Sequence, residues 1–180
     1  MVSAHLHAIM TFRRLFSSAK PGGVSSEIAS EFMAHSQKRG PLIQRQLLDA
    51  NQLQRLGQTL DRREFLRGSP VSSDTPVKGT PLPPGYHLVY FTPSAFESEL
   101  GNDGSDRTFN PLPPFTRRMW AGGDMVWSRH NLLRVGDVVS ETTRVVKADP
   151  KRTRDGMEMI VVGVEKTFEN KDGIALVDRR

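Results

Sequence analysis

A chain of 180 residues with 37% apolar side chains can bury one good core and hardly two. It has no cysteine, which removes disulfides and thiolate metal ligands, and its five histidines are scattered without ligand spacing. The formal charge of +5 is uneven: Arg13, Arg14 and Lys20 stand in a first stretch of twenty residues without an acid, and the remainder holds 22 Lys and Arg against 20 Asp and Glu. A nearly balanced body without interleaved aromatic and basic residues argues against a nucleic-acid partner, and no apolar run is long enough to span a bilayer.

Residues 1–22 read as a mitochondrial presequence for the matrix. They are rich in Ser, Arg and apolar residues, and the first acid is Glu27. As a helix, Val2, Leu6, Ile9, Phe12 and Phe16 form one stripe, with Arg14 off it and Arg13 at its edge. Arg14-Leu15-Phe16 before Ser17-Ser18 resembles a matrix-protease cleavage context. A disordered N-terminal extension is the alternative, and the continuous apolar stretch of a secretory signal is missing.

Residues 23–40 are polar and expected to be poorly ordered, with a short helix at 27–33 ended by Gly40-Pro41. The next helix is better marked. Asp49 with Gln52 three positions on has capping-box form, and Leu53, Leu56 and Leu60 follow at helical spacing. Residues 67–85 form a Ser/Thr/Pro/Gly connection and 86–91 a short strand, then 92–114 another long loop. Strands are expected at 119–128, 138–148 and 158–168, with a turn at 132–137 and a charged hairpin tip at 149–156. In the 158–168 strand, Ile160, Val162 and Val164 occupy one face and Met159 and Val161 the other, the pattern of a central strand. A turn at 170–173 leads into a last strand at 174–177. One helix on an antiparallel meander gives an α+β class without choosing among its folds.

The stretch 81–123 is more individual than composition requires. Leu82-Pro83-Pro84-Gly85, His87, Tyr90-Phe91, Leu100-Gly101, Asp103-Gly104 and the run 113–123, ending Arg117-Arg118-Met119-Trp120-Ala121-Gly122-Gly123, combine prolines that fix φ with glycines that allow close backbone approach. On these residues the chain resembles the N-terminal hot-dog half of MaoC-like dehydratases, nearest the mitochondrial hydroxyacyl-thioester dehydratases type 2 and the mesaconyl-CoA hydratases. The likeness covers roughly 41–180 and departs at Ser105, where many relatives place His.

The resemblance implies an antiparallel sheet wrapped on a helix for residues 41–180, as one part of a double hot-dog. It implies a complete enzyme that dehydrates (3R)-3-hydroxyacyl thioesters in fatty acid synthesis, on coenzyme A or an acyl carrier protein, with no cofactor. Such chemistry needs a base for the C2 proton and an acid for the leaving hydroxyl. The relatives carry that Asp/His pair on a second hot-dog; no segment of the form Asn-Pro-x-x-x-His occurs here, since Asn110-Pro111 is followed by Leu112 and Pro113. The chain stops three residues after Val177, and we expect a portion inactive alone, completed by a second, catalytic hot-dog as domain or subunit.

No catalytic residue and no metal ligand is therefore assigned. Arg117, Arg118, Trp120, Gly122 and Gly123 are the candidate substrate-binding set. Two forked guanidinium groups suit a phosphate of coenzyme A or phosphopantetheine; alternatively one arginine stacks on Trp120 or pairs with an acid. Lys147, Lys151, Arg152 and Arg154 either dock an acidic carrier or form a solvated tip. Trp120, Met125 and Trp127 line an acyl pocket or fill a core. His87 reads as a core or rim histidine and His130 as a solvated one; a dyad of either with Asp103 or Asp124 is the minor alternative. A single hot-dog thioesterase, with a carboxylate on a long central helix, and a non-enzymatic mitochondrial binding module are the competing functions.

Overall fold

The computed structural model describes residues 17–18 and 23–180. The presequence expected over residues 1–22 otherwise lies outside the described residues. Eight strands and two helices follow in the order β1 (Ser17–Ser18), α1 (Val24–Arg39), β2 (Leu42–Leu47), α2 (Ala50–Thr59), β3 (Glu64–Leu66), β4 (Ser69–Pro70), β5 (Asp124–Trp127), β6 (Val138–Arg152), β7 (Glu158–Asn170) and β8 (Gly173–Arg179). No helix among the described residues is long and apolar enough to cross a membrane.

Six strands make one antiparallel sheet. β7 lies centrally between β6 and β8, β5 pairs with β8, and β1 and β2 pair with separate stretches of β6. The charged tip is tighter than expected: β6 runs on through Asp149 and Pro150, and the chain reverses at residues 153–157. The turn at 170–173 stands as expected, held by the Asp172 N–H donating to Asn170 Oδ1 at 2.9 Å.

Residues in register share a face. Glu141, Phe168, Leu176 and Trp127 lie abreast across β6, β7, β8 and β5, and Thr143, Lys166, Asp178 and Met125 form the next row. On this face sits the core: Val139, Phe168 and Leu176 from the sheet, Leu53 from α2, Phe65 from β3, and Leu48, Leu133 and Val135 from the connections. The other face carries Leu47 beside Val138, and Ile43 and Val126 in the row of Thr142, Thr167 and Val177. Leu47, Val138, Ile43 and Val126 are all exposed.

α2 begins as its sequence requires, with Asp49 accepting the Gln52 N–H at 2.9 Å. Leu53 is fully buried and Leu56 packs against the core, but Leu60 lies beyond the helix end and is exposed. Gly57 lets α2 approach Phe65, because a Cβ there would stand 2.8 Å from the Phe65 ring.

Three expectations need correction. The polar stretch 23–40 holds more than a short helix: α1 spans 16 residues, buries Ser25, Ala29, Phe32 and Ser36 at helical spacing, and ends at Gly40 with φ 77°. α1 packs on β6 and β7, where the Ser25 N–H donates to Glu158 Oε2 at 3.0 Å. The strand expected at 86–91 is a 3₁₀ turn, Tyr86–Val89, launched by Gly85 at φ 87°. Its buried residues are Tyr86, His87, Tyr90 and Phe91, pairs one helical turn apart rather than alternating. The strand expected at 119–128 is only β5, and residues 119–123 are irregular.

Phe168 is 1% exposed, with the rings of His87 and Phe91 edge-on to it at 4.8 and 5.1 Å. Phe168→Ala should destabilise the fold by about 3–5 kcal/mol, read as a lower urea midpoint at unchanged slope.

Candidate functional site

Two places carry chemistry. The first is the irregular run into β5. Its approach is shaped by a turn in which the Gly104 N–H donates to Gly101 O at 2.8 Å, and Ser105 donates to Asp103 Oδ1 through its hydroxyl at 2.7 Å and its N–H at 3.1 Å. Those bonds from Ser105 hold the Asp103 carboxyl below the usual range, with a smaller contribution from the Arg118 charge. The Pro113-Pro114 peptide is cis.

From there the chain presents its side chains to solvent. Arg117 and Arg118 are exposed, Met119 is 86% exposed and Trp120 74%. Neither arginine stacks on Trp120 or forms an ion pair among the described residues, so the guanidinium donors remain open. Gly122, at φ 142°, has a backbone that other residues rarely adopt. Gly123 packs on the end of β8, where a Cβ would stand 2.5 Å from Arg179 O. The segment is thus seated on the sheet by its glycines and open at its arginines and indole. Met125 and Trp127, by contrast, are partly buried against the core, so the pocket-or-core trio divides.

The second place is interior and was not singled out from sequence. In the polar row beside Phe168, Glu141 Oε1 accepts from Lys166 Nζ at 2.9 Å and from the Thr143 hydroxyl at 2.8 Å, while its Oε2 is buried without a partner. Asp178, 1% exposed, accepts two bonds from Arg180 to Oδ2, at 2.7 and 3.0 Å. His87 lies over this row, 2% exposed, with Nε2 buried and unpartnered. The signal was parity: Glu141 and Thr143 share a face with Val139, Lys166 with Phe168, and Asp178 with Leu176.

The remaining candidates separate from these. His130 is exposed beyond β5, its N–H toward Ser128 Oγ at 3.3 Å, and His35 is exposed on α1. His5 and His7 lie outside the described residues. The acid that acts on His87 is Asp178, neither Asp103 nor Asp124. At the hairpin tip, Lys147 pairs with Asp149 at 3.5 Å and Arg152 with Glu158 at 2.9 Å. The Arg152 bond holds the Glu158 carboxyl below its ordinary value. Part of the basic cluster is therefore met locally.

A family model matches the part of the chain that holds both places. The family model for hydroxyacyl-thioester dehydratase type 2 matches residues 85–180. A mesaconyl-C(4)-CoA hydratase of Chloroflexus aurantiacus is 33% identical over 96 residues, covering 52% of this chain and 34% of that protein. A mitochondrial hydroxyacyl-thioester dehydratase type 2 of Schizosaccharomyces pombe is 38% identical over 65 residues, covering 33% of this chain and 22% of that protein. The matches thus span about a third or less of those relatives' lengths.

His87 makes the stability depend on pH. Burial lowers its imidazole from 6.5 to about 4; Asp178 opposes the shift, and Arg180 and Lys166 reinforce it. The unfolded chain takes up this proton near pH 6.5, whereas the folded chain does so only near 4. Unfolding therefore binds a proton between those values, and acid weakens the fold by up to about 3 kcal/mol through this residue. Urea unfolding from pH 7 to 4 should show that loss, and His87→Phe should flatten it.

Proposed function

This chain belongs to the hydroxyacyl-thioester dehydratase type 2 family, and from that membership we propose that it is the N-terminal, substrate-binding half of a mitochondrial (3R)-3-hydroxyacyl-thioester dehydratase of fatty acid synthesis. The matrix is its proposed place of action. The name of the Schizosaccharomyces pombe relative and the composition of residues 1–22 support it. The division into halves draws support from the matched share of the relatives, 34% and 22%, and from the missing Asn-Pro-x-x-x-His segment.

The reaction removes the C2 proton with a base and expels the C3 hydroxyl as water after an acid protonates it, while donors polarise the thioester carbonyl. In this reading the base and acid come from a second hot-dog, as domain or subunit. β5 supports such a neighbour, because it is a sheet edge with no strand on its outer side among the described residues.

This chain's own task is to bind and orient the thioester. The observation that carries the assignment is the display of Arg117, Arg118 and Trp120, open to solvent immediately before that edge. The two guanidinium forks take a phosphate of coenzyme A or of carrier-bound phosphopantetheine. Trp120 gives the pantetheine arm an apolar face, and Gly122 and Gly123 hold the segment against β8. The thioesterase alternative lacks its carboxylate: Asp49 is engaged in the α2 cap, and Glu27 and Glu31 of α1 are exposed.

Binding of a 3-hydroxyacyl-CoA to the full chain, followed by Trp fluorescence and calorimetry, tests this. Replacing both Arg117 and Arg118 by Ala should weaken binding about 10- to 100-fold, the loss expected of charge-assisted hydrogen bonds, with the thermal midpoint unmoved. Unchanged affinity would remove these residues from the site. The chain alone should not hydrate a crotonyl thioester, and turnover would refute the division of labour.

A further inference from the structure

The His87 ring packs on Phe168, but its buried Nε2 is employed neither by that packing nor by the reading above. Its Nε2 has no partner, and its ring lines a small, partly open cavity of about 10 Å³ together with Leu82, Pro83, Trp127, Leu132, Leu133 and Ala175. Asn131 also reaches this wall, but its amide donates to Asn170 Oδ1 and Gly173 O, both at 2.9 Å, and its own oxygen accepts from Asn170 at 3.0 Å. The unmet hydrogen-bonding capacity is therefore that of the imidazole. A buried polar atom left unpaired is costly and uncommon.

The cavity selects the ligand by size and chemistry. A volume of about 10 Å³ admits roughly one water-sized group. Burial keeps the imidazole neutral, so Nε2 offers either one N–H or one lone pair. A hydroxyl complements both, because it donates and accepts. A carboxylate or phosphate is too large, and an ammonium would bring a charge against Leu, Pro, Trp and Ala and an Asn131 amide that is already paired.

We propose that the His87 cavity is a binding site for a single hydroxyl group, supplied by a water molecule or by the 3-hydroxyl of an acyl chain. The acyl source rests on the dehydratase reading; the water source does not. In the acyl case the hydroxyl enters from the cavity's open side, and His87 distinguishes hydroxyacyl from saturated acyl groups.

The test compares 3-hydroxybutyryl-CoA with butyryl-CoA on the full chain, as wild type, His87→Phe and His87→Gln. In parallel, water-to-protein NMR transfer seeks a long-lived water at the His87 ring. With the acyl source, wild type prefers the hydroxylated ligand about three- to tenfold, the worth of one net hydrogen bond. The preference disappears in His87→Phe at unchanged butyryl affinity and survives in His87→Gln. With the water source, both thioesters bind alike, or neither binds, and a bound-water signal is present in wild type and lost in the Phe variant. Binding of neither thioester counts against the dehydratase reading, and the water signal then decides this inference alone. Absence of both the preference and the bound water overturns it. The wild-type arms and the Gln variant decide the matter even if His87→Phe does not fold.

Discussion

The packing of the 86–91 turn on Phe168 is the contact on which the rest of the structure depends. His87 and Phe91 present ring edges to Phe168, an arrangement favoured by the aromatic quadrupole. The same turn reaches α2 on its other side. The Tyr90 hydroxyl donates to Asp49 O at 2.6 Å, and the Gln52 side chain donates to Val89 O. A four-residue 3₁₀ helix has little stability of its own. Here it joins the centre of the sheet to the helix that covers it, and its Leu82-Pro83-Pro84-Gly85 lead is tied to the connection before β6 through Leu82 N–H to Leu133 O at 2.9 Å.

That arrangement brings polar chemistry into the core. Ion pairs taken out of water recover their desolvation only when the geometry is good. Lys166–Glu141 and Arg180–Asp178 meet this by short contacts and by the added Thr143 bond. Two of the buried unpartnered atoms, Glu141 Oε2 and His87 Nε2, belong to residues beside Phe168, the first in register with it and the second edge-on to its ring. Interior and exterior places are neighbours through the sheet: Met125 stands opposite Asp178, and Gly123 touches the backbone of Arg179.

Much of this architecture is legible in the sequence, for identifiable reasons. The Asp49 cap, the turns around Gly136 and Gly173 and the β6–β7–β8 meander follow from side chains acting on their own backbone. The family follows from 81–123, because those prolines and glycines encode one loop. What escaped reading depends on partners distant in sequence. α1 is hidden because its buried face is largely serine and alanine. The 86–91 turn looks like a strand because Tyr, Val and Phe favour strands, until Gly85 and the Phe168 ring decide otherwise. The interior charges resemble solvated ones until the register places Lys166 beside Glu141.

Amide hydrogen exchange at residues 86–90 tests the central contact most directly. The Tyr86 N–H donates to Pro83 O and the Tyr90 N–H to His87 O, both at 3.1 Å. If the turn is clamped between Phe168 and α2, these amides should open only with the β7 amides, at the free energy of global unfolding. Rapid exchange at Tyr86 and Tyr90 while β7 stays protected would show a loosely held turn and contradict the account.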